Sequence, residues 1–217
     1  MARSSYARGV RLIAPIAVAG GTFAASFGVL ARASHMGRLA PIVMSATTFA
    51  GSAQFAATSI LKSSGGLAAA IAAAVLLNAR YAAIGISVSS IFRGPPWRRL
   101  AESQLIVDES WAVSSLGGGR FDRGILIGAG ALLYVAWVGG TTIGTLAGGA
   151  IGDPNRLGLD AAFPALFFAL LLPQLRGRRA VAAALAGGAI AFVLLPFTPA
   201  GVPIVAASAA CLAGIRR

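Results

Sequence analysis

Long apolar runs, broken only by short clusters of charge, limit what this 217-residue chain can fold into. They fall at roughly 11–31, 39–61, 66–91, 124–150, 160–175, 180–196 and 200–214. A spanning helix needs about 20 apolar residues. Hydrocarbon offers no water to a free peptide group, so runs of this length fold as α-helices in a bilayer. A membrane β-barrel would show alternating segments of about ten residues, whereas these runs are continuous and rich in Ala, Leu and Gly. A soluble domain is about 25% charged; this chain is 11% charged, with a mean hydropathy of +0.81. The sequence predicts an all-α polytopic membrane protein of about seven segments.

The net charge of +12 would suggest nucleic acid if the chain were soluble. Its arginines instead flank the apolar runs, as lipid headgroups and the positive-inside rule require, so the expected surroundings are a lipid bilayer and no nucleic acid. The N-terminal MARSSYARGVRL resembles the start of a signal peptide, but the apolar run after it continues into further segments, and it reads as a retained first helix. Cys211 is the only cysteine and His35 the only histidine, which leaves no internal disulfide, no metal site and no call for a cofactor.

Residues 1–217 read as one transmembrane transporter domain: a first half 11–91, a cytoplasmic loop 92–123 and a second half 124–214. Arg93, Arg98, Arg99, Arg120 and Arg123 place that loop inside. Within it, 101–116 reads as one short amphipathic helix lying on the headgroups, with Asp108 and Ser110 off its apolar face. The side of the N-terminus stays open. Seven full spans put it outside; a re-entrant 39–61 puts it inside. Gly28-Val-Leu-Ala recurs 116 residues later as Gly144-Thr-Leu-Ala, and the segments that follow recur at similar spacing. Read as a repeat rather than as chance, this favours two inverted halves of three segments each around a midplane site.

The site is expected between Ser45 and Tyr81. There Gly51-Ser52-Ala53-Gln54 breaks one apolar segment, and Asn78 and Arg80 end the next. Irregular backbone at membrane depth survives only where protein or a wet cavity covers it, and transporters place substrate at such breaks. Gln54 can donate and accept hydrogen bonds, or it can be helix–helix glue. Arg80 can clamp a carboxylate with its planar fork, or it can reach the headgroups or pair with an acid. Phe49 and Phe55 would wall an apolar side-chain pocket. Asp108, Glu109 and Asp160 are the acids that could relay a proton or balance an arginine; Asp160 reads first as a helix N-cap.

No soluble-enzyme motif is present: no GxxxxGK[ST], no HExxH and no nucleophile elbow. An intramembrane enzyme would also lack a nucleophile–base pair, so no catalytic residue is assigned. SFGVLA (26–31), MSATTFAGSAQFAA (44–57), LLNARY (76–81), VDESWA (107–112) and GLDAAFPALF (158–167) together resemble the AzlC-type branched-chain amino acid permease family. The resemblance implies a multi-pass exporter of branched-chain amino acids in the bacterial inner membrane. It also implies a proton gradient as energy source and a small AzlD-type membrane subunit as partner. The family commonly reads Asn-Leu-Arg-His where this chain has Asn78-Ala79-Arg80-Tyr81, so a proton role for that histidine does not transfer.

The functional expectation is therefore a secondary transporter of branched-chain or similar apolar amino acids, with Gly51, Ser52, Gln54, Asn78 and Arg80 taking the zwitterion. The rival is a membrane scaffold or assembly subunit without a transport site. Gly139-Gly140-Thr141-Thr142 with Gly144-Thr145 offers a small-residue face on which the partner subunit could dock, or which could pack inside the monomer. Self-association into a homo-oligomer is left open.

Overall fold

The computed structural model describes residues 2–148, 168, 171–172, 175, 177–198 and 202–210. The order is α1 (Ala2–Ala33), α2 (Leu39–Thr48), α3 (Gly51–Lys62), α4 (Leu67–Asn78), α5 (Arg80–Val88) with a 3-10 turn Ser89–Ile91, α6 (Pro96–Ser103), α7 (Asp108–Ser114), β1 (Ser115–Gly117), β2 (Arg120–Phe121), α8 (Arg123–Ala147), α9 (Arg178–Leu194) and α10 (Val202–Ala207). The only strands among the described residues form a hairpin across Gly118-Gly119, whose positive φ angles suit its tight two-residue turn.

Three described helices are long and apolar enough to span a membrane: Ser5–Ala33, Leu67–Ile91 and Arg123–Ala147. Large apolar side chains such as Val18, Ile86 and Phe192 are 73%, 76% and 79% exposed. Apolar surface on this scale is a liability in water and the normal outer face of a helix in lipid. This is an all-α membrane protein apart from its small hairpin.

Two compact units are present among the described residues, one from 2–51 with 78–148, the other from 52–77 with the described part of 153–217. The first unit is built on α1 and α8. Small residues let the two backbones touch. Gly9 faces Ile125 and Ala129, Gly21 faces Ala136, and Gly28 faces Thr141, Gly144 and Thr145. As the number rises along α1 it rises along α8, so the two helices run parallel. In lipid, where no hydrophobic force drives helices together, such close backbone approach supplies the attraction.

The parallel seam bears on two expectations. The repeated Gly28-Val-Leu-Ala and Gly144-Thr-Leu-Ala segments lie against each other in the same direction, whereas an inverted repeat would set them antiparallel. Seven alternating spans would also make the first and fourth antiparallel. If α1 and α8 both span, the chain that joins them crosses an odd number of times. The second outcome concerns Gly140, Thr141, Gly144 and Thr145, which are buried against α1 and α2 or along the seam, so these four pack inside the chain, the alternative the sequence left open.

Polar groups fasten the start of α8. Asp122 caps it by accepting the Ile125 N–H at 2.9 Å, a contact worth about 1 kcal/mol. Ser5 donates to the other Asp122 oxygen at 3.2 Å, and Arg123 donates to the Tyr6 hydroxyl at 3.2 Å. Arg123 also forks onto Glu102, which takes a further bond from Arg98 Nε at 2.9 Å. Burial alone would raise the Glu102 pKa; the hydrogen bonds from Arg123 and Arg98 outweigh it and hold the carboxyl below its ordinary range. A group with a depressed folded pKa stabilises above its unfolded pKa, about 4.3 for Glu, and loses that contribution as pH falls through the folded value. Glu102→Gln should therefore be less stable than the parent at pH 7 by about 1–2 kcal/mol, with the gap closing below about pH 4. Melting in detergent at several pH values checks this; a gap constant down to the acid limb counts against the ion cluster.

The loop does not hold one amphipathic helix over 101–116. It forms α6 and α7, separated by residues 104–107. The cause is Ser110, fully buried, whose hydroxyl accepts the Val107 N–H at 3.0 Å and donates to the Leu105 and Val107 carbonyls. That side chain captures the backbone and starts a new helix at Asp108, whose acids sit in the first turn where the helix dipole favours them.

Candidate functional site

The segment 39–62 is broken, and the break falls at Phe49-Ala50, two residues before the expected position. Gly51-Ser52-Ala53-Gln54 forms the first turn of α3. Phe49 adopts left-handed backbone, φ +42° and ψ +47°. For a bulky residue that conformation costs about 1–2 kcal/mol and persists only when its surroundings hold it. The surroundings are visible. The Phe49 ring sits edge-on to Tyr134 at 5.1 Å, inside a core of Ile13, Ala17, Val107, Ala129 and Leu133.

A helix end leaves carbonyls without partners, which hydrocarbon cannot satisfy. Here two side chains from elsewhere in the unit answer them. Tyr134 donates its hydroxyl to the Ala46 carbonyl at 2.8 Å, and Gln104 donates its amide to the Thr47 carbonyl at 2.9 Å and to Ala46 at 3.2 Å. Ser45 meets Thr141 hydroxyl to hydroxyl at 2.8 Å, tying α2 to α8. On the other side of the break Gly51 carries no side chain because Trp137 occupies its space: a Cβ there would lie 2.6 Å from the indole. Phe23 tilts against the same indole at 6.1 Å. The break is thus an aromatic-walled discontinuity with the Ala46 and Thr47 carbonyls of α2 capped. Tyr134, Gln104, Trp137 and Phe23 were not singled out in the sequence. Their role depends on α8, α1 and the loop being folded against α2, and no local pattern marks it.

Along α3, Ser52, Gln54 and Phe55 are buried, Gln54 completely. These three residues belong to the second unit, as do Thr58 and the rest of α3. Asn78 ends α4 and its Oδ1 is buried without a hydrogen-bond partner among the described residues. Arg80 opens α5 across a one-residue turn and pairs with Asp108 at 2.9 Å, both half exposed, while its guanidinium lies 5.2 Å from the Tyr81 ring centroid. Of the residues expected at the site, the structure therefore joins Arg80 with Asp108. It sets Phe49 and Gly51 in a different aromatic cluster. Asp160 lies outside the described residues.

Glu109 follows Asp108 at the start of α7. Its side chain reaches the surface, yet the protein massed around it raises its pKa above the ordinary carboxylate range. The neighbouring Asp108 charge adds to the rise, and a backbone hydrogen bond and Arg80 oppose it. The Arg80–Asp108–Glu109 group can therefore hold one paired carboxylate and one that gains a proton more readily.

Comparison with known proteins is consistent with the membrane character. A membrane protein of Archaeoglobus fulgidus, described as uncharacterised, is 36% identical over 96% of this chain and 94% of its own length. A Bacillus subtilis protein named branched-chain amino acid transport protein AzlC is 28% identical over 69% of this chain, an alignment that covers 59% of that protein. An uncharacterised membrane protein of Helicobacter pylori is 24% identical over 69% of this chain. No solved structure matches. The family model described as AzlC protein matches residues 15–151, which run from Pro15 within α1 through α8 and include the break between α2 and α3. This chain belongs to the AzlC family.

Proposed function

We propose that this chain is a secondary transporter that moves branched-chain or similar apolar amino acids across the membrane, outward and coupled to protons, together with a small AzlD-type membrane subunit. The observation that carries the reading is the break at Phe49-Ala50. The Ala46 and Thr47 carbonyls before it are capped by Tyr134 and Gln104, so the backbone that opens α3 at Gly51 is the polar group proposed for a ligand. A helix N-terminus favours a carboxylate. Phe49 and Trp137 supply apolar walls that suit an aliphatic side chain. On sequence grounds Gln54, Ser52 and Asn78 are the candidates for the zwitterion, and Phe55 for a further apolar contact.

Proton coupling is assigned to Glu109 beside the Arg80–Asp108 pair. Purified chain with its small subunit, reconstituted in liposomes, should release leucine, isoleucine and valine faster when a pH gradient is imposed. Glu109→Gln should keep exchange of labelled for unlabelled substrate but lose the response to the gradient. Loss of both together would place Glu109 in the fold rather than in coupling. Absence of flux with any amino acid would favour the scaffold reading.

The same reading includes a topology. Between the parallel α1 and α8, the one helix long and apolar enough to span is Leu67–Ile91. We propose that α2 and α3 form a re-entrant pair that enters and leaves on one side. The N-terminal arginines then share the cytoplasmic side with the 93–123 cluster, as the positive-inside rule prefers. With Cys211 replaced, single cysteines at Ala7 and Trp97 should resist an impermeant thiol reagent in intact cells, and cysteines at Ser34 and Ser63 should both react. Reaction at Ala7 with protection at Ser34 would restore two full crossings.

A further inference from the structure

We infer that the cleft between the end of α5 and α6 is a headgroup site for an anionic phospholipid that carries hydroxyls, of the phosphatidylglycerol type. The cleft has a volume of about 350 Å³ and is lined by Arg99, Ser89 and Ser103 together with Phe92, Leu100 and Ile106. It sits where the membrane-length helix Leu67–Ile91 ends and the chain turns through Gly94 and Pro95 into α6. That helix is short and two-faced: Trp97 is 72% exposed and Leu100 74% exposed, beside Arg98 and Arg99. Aromatic and aliphatic groups next to arginines at the end of a span belong at the headgroup level.

The chemistry inside the cleft narrows the occupant. Arg98 is engaged by Glu102, whereas Arg99 makes no ion pair among the described residues and lies free to meet a phosphate. The two serine hydroxyls have already spent their protons, Ser89 on the Ile86 carbonyl at 2.8 Å and Ser103 on the Leu100 carbonyl at 2.7 Å. They therefore face a ligand as acceptors and call for one that donates. A glycerol headgroup does so while its phosphate meets Arg99, and Phe92, Leu100 and Ile106 lie alongside the first carbons of its chains. Choline has no donor, and phosphatidic acid offers at most the one proton of its phosphate, the group that meets Arg99. An exposed juxtamembrane arginine is worth about 1 kcal/mol toward an anionic lipid, about fivefold in retention.

The full chain, released from bilayers of equal phosphatidylglycerol and phosphatidylcholine and weighed with its bound lipid by native mass spectrometry, should retain phosphatidylglycerol about fivefold over phosphatidylcholine. Arg99→Gln should bring the ratio near unity, and Arg120→Gln, an arginine on the hairpin, should leave it unchanged. In bilayers of equal phosphatidylglycerol and phosphatidic acid the parent should favour phosphatidylglycerol, and Ser89→Ala with Ser103→Ala should lose that preference while keeping the one over phosphatidylcholine. Each variant alters an exposed or half-buried side chain outside the α1–α8 seam, and its melting point is read in parallel. Equal retention of both lipids by the parent, an undiminished ratio in Arg99→Gln, or displacement of the lipid by inorganic phosphate or glycerol phosphate would overturn the assignment.

Discussion

Gly144→Ala should remove most of the folded protein, because a single methyl group has nowhere to go. A Cβ at Gly144 would stand 1.9 Å from the Ala25 carbonyl oxygen and 2.7 Å from its carbon. Both are backbone atoms in the middle of α1, so the contact cannot be relieved by turning a side chain. The helices must separate along the seam, and Gly140, whose Cβ would meet the Gly21 carbonyl oxygen at 2.1 Å, loses its fit as well. Overpacking of a well-fitted interior typically costs about 1–3 kcal/mol, and more when backbone must move. We expect about 3 kcal/mol or more here, read as a lower melting point in detergent and as lost monodisperse yield. Gly139, one residue before Gly140, has no atom within 4 Å of its would-be Cβ and is the control. Gly139→Ala should behave as the parent. If the two variants melt alike, α1 and α8 are not packed through this seam, and the parallel arrangement drawn from it falls.

The largest effect on transport is expected from Gln54→Leu. Gln54 is fully buried in the first turn of α3, among apolar neighbours in the sequence that could have been chosen throughout. If Gln54 recognises the substrate, as proposed above, leucine leaves a polar group of the substrate unmatched at about 1–3 kcal/mol. Flux in proteoliposomes should fall at least about tenfold, which corresponds to 1.4 kcal/mol. Yield and melting should change little, since leucine fills a similar volume. A fall in yield that runs parallel to the fall in flux would identify Gln54 as helix–helix glue.

The two variants separate two kinds of reading. The seam was visible in the sequence as a crowd of glycines, but its partner was not. Gly139-Gly140-Thr141-Thr142 with Gly144-Thr145 reads as a face for a second subunit, with closure inside the monomer as the alternative. The choice depends on which helix lies across it, and α1 stands more than a hundred residues away in the chain. The loop shows the opposite limit. The period of residues 101–116 was real enough to suggest one helix, yet the hydroxyl of Ser110 redirects the backbone at Val107 and splits it. A side chain that bonds its own backbone competes with the helix, and hydrophobic spacing does not register that competition.

Membrane class, helical structure, the broken segment near Phe49 and the basic loop follow from the sequence alone, because each is a local rule of the bilayer. Apolar runs must hydrogen-bond within themselves, breaks stand out within them, and arginines gather at their ends. Direction and partnership do not follow from local rules. That α1 and α8 run parallel, that Tyr134 and Gln104 cap the Ala46 and Thr47 carbonyls of α2, and that Asp108 answers Arg80 each require residues far apart in sequence to meet. In lipid the hydrophobic effect does not choose those meetings, since every apolar face is content with the solvent. They are chosen by steric fit at glycine and by a few buried polar bonds, and only the tertiary structure shows which ones close.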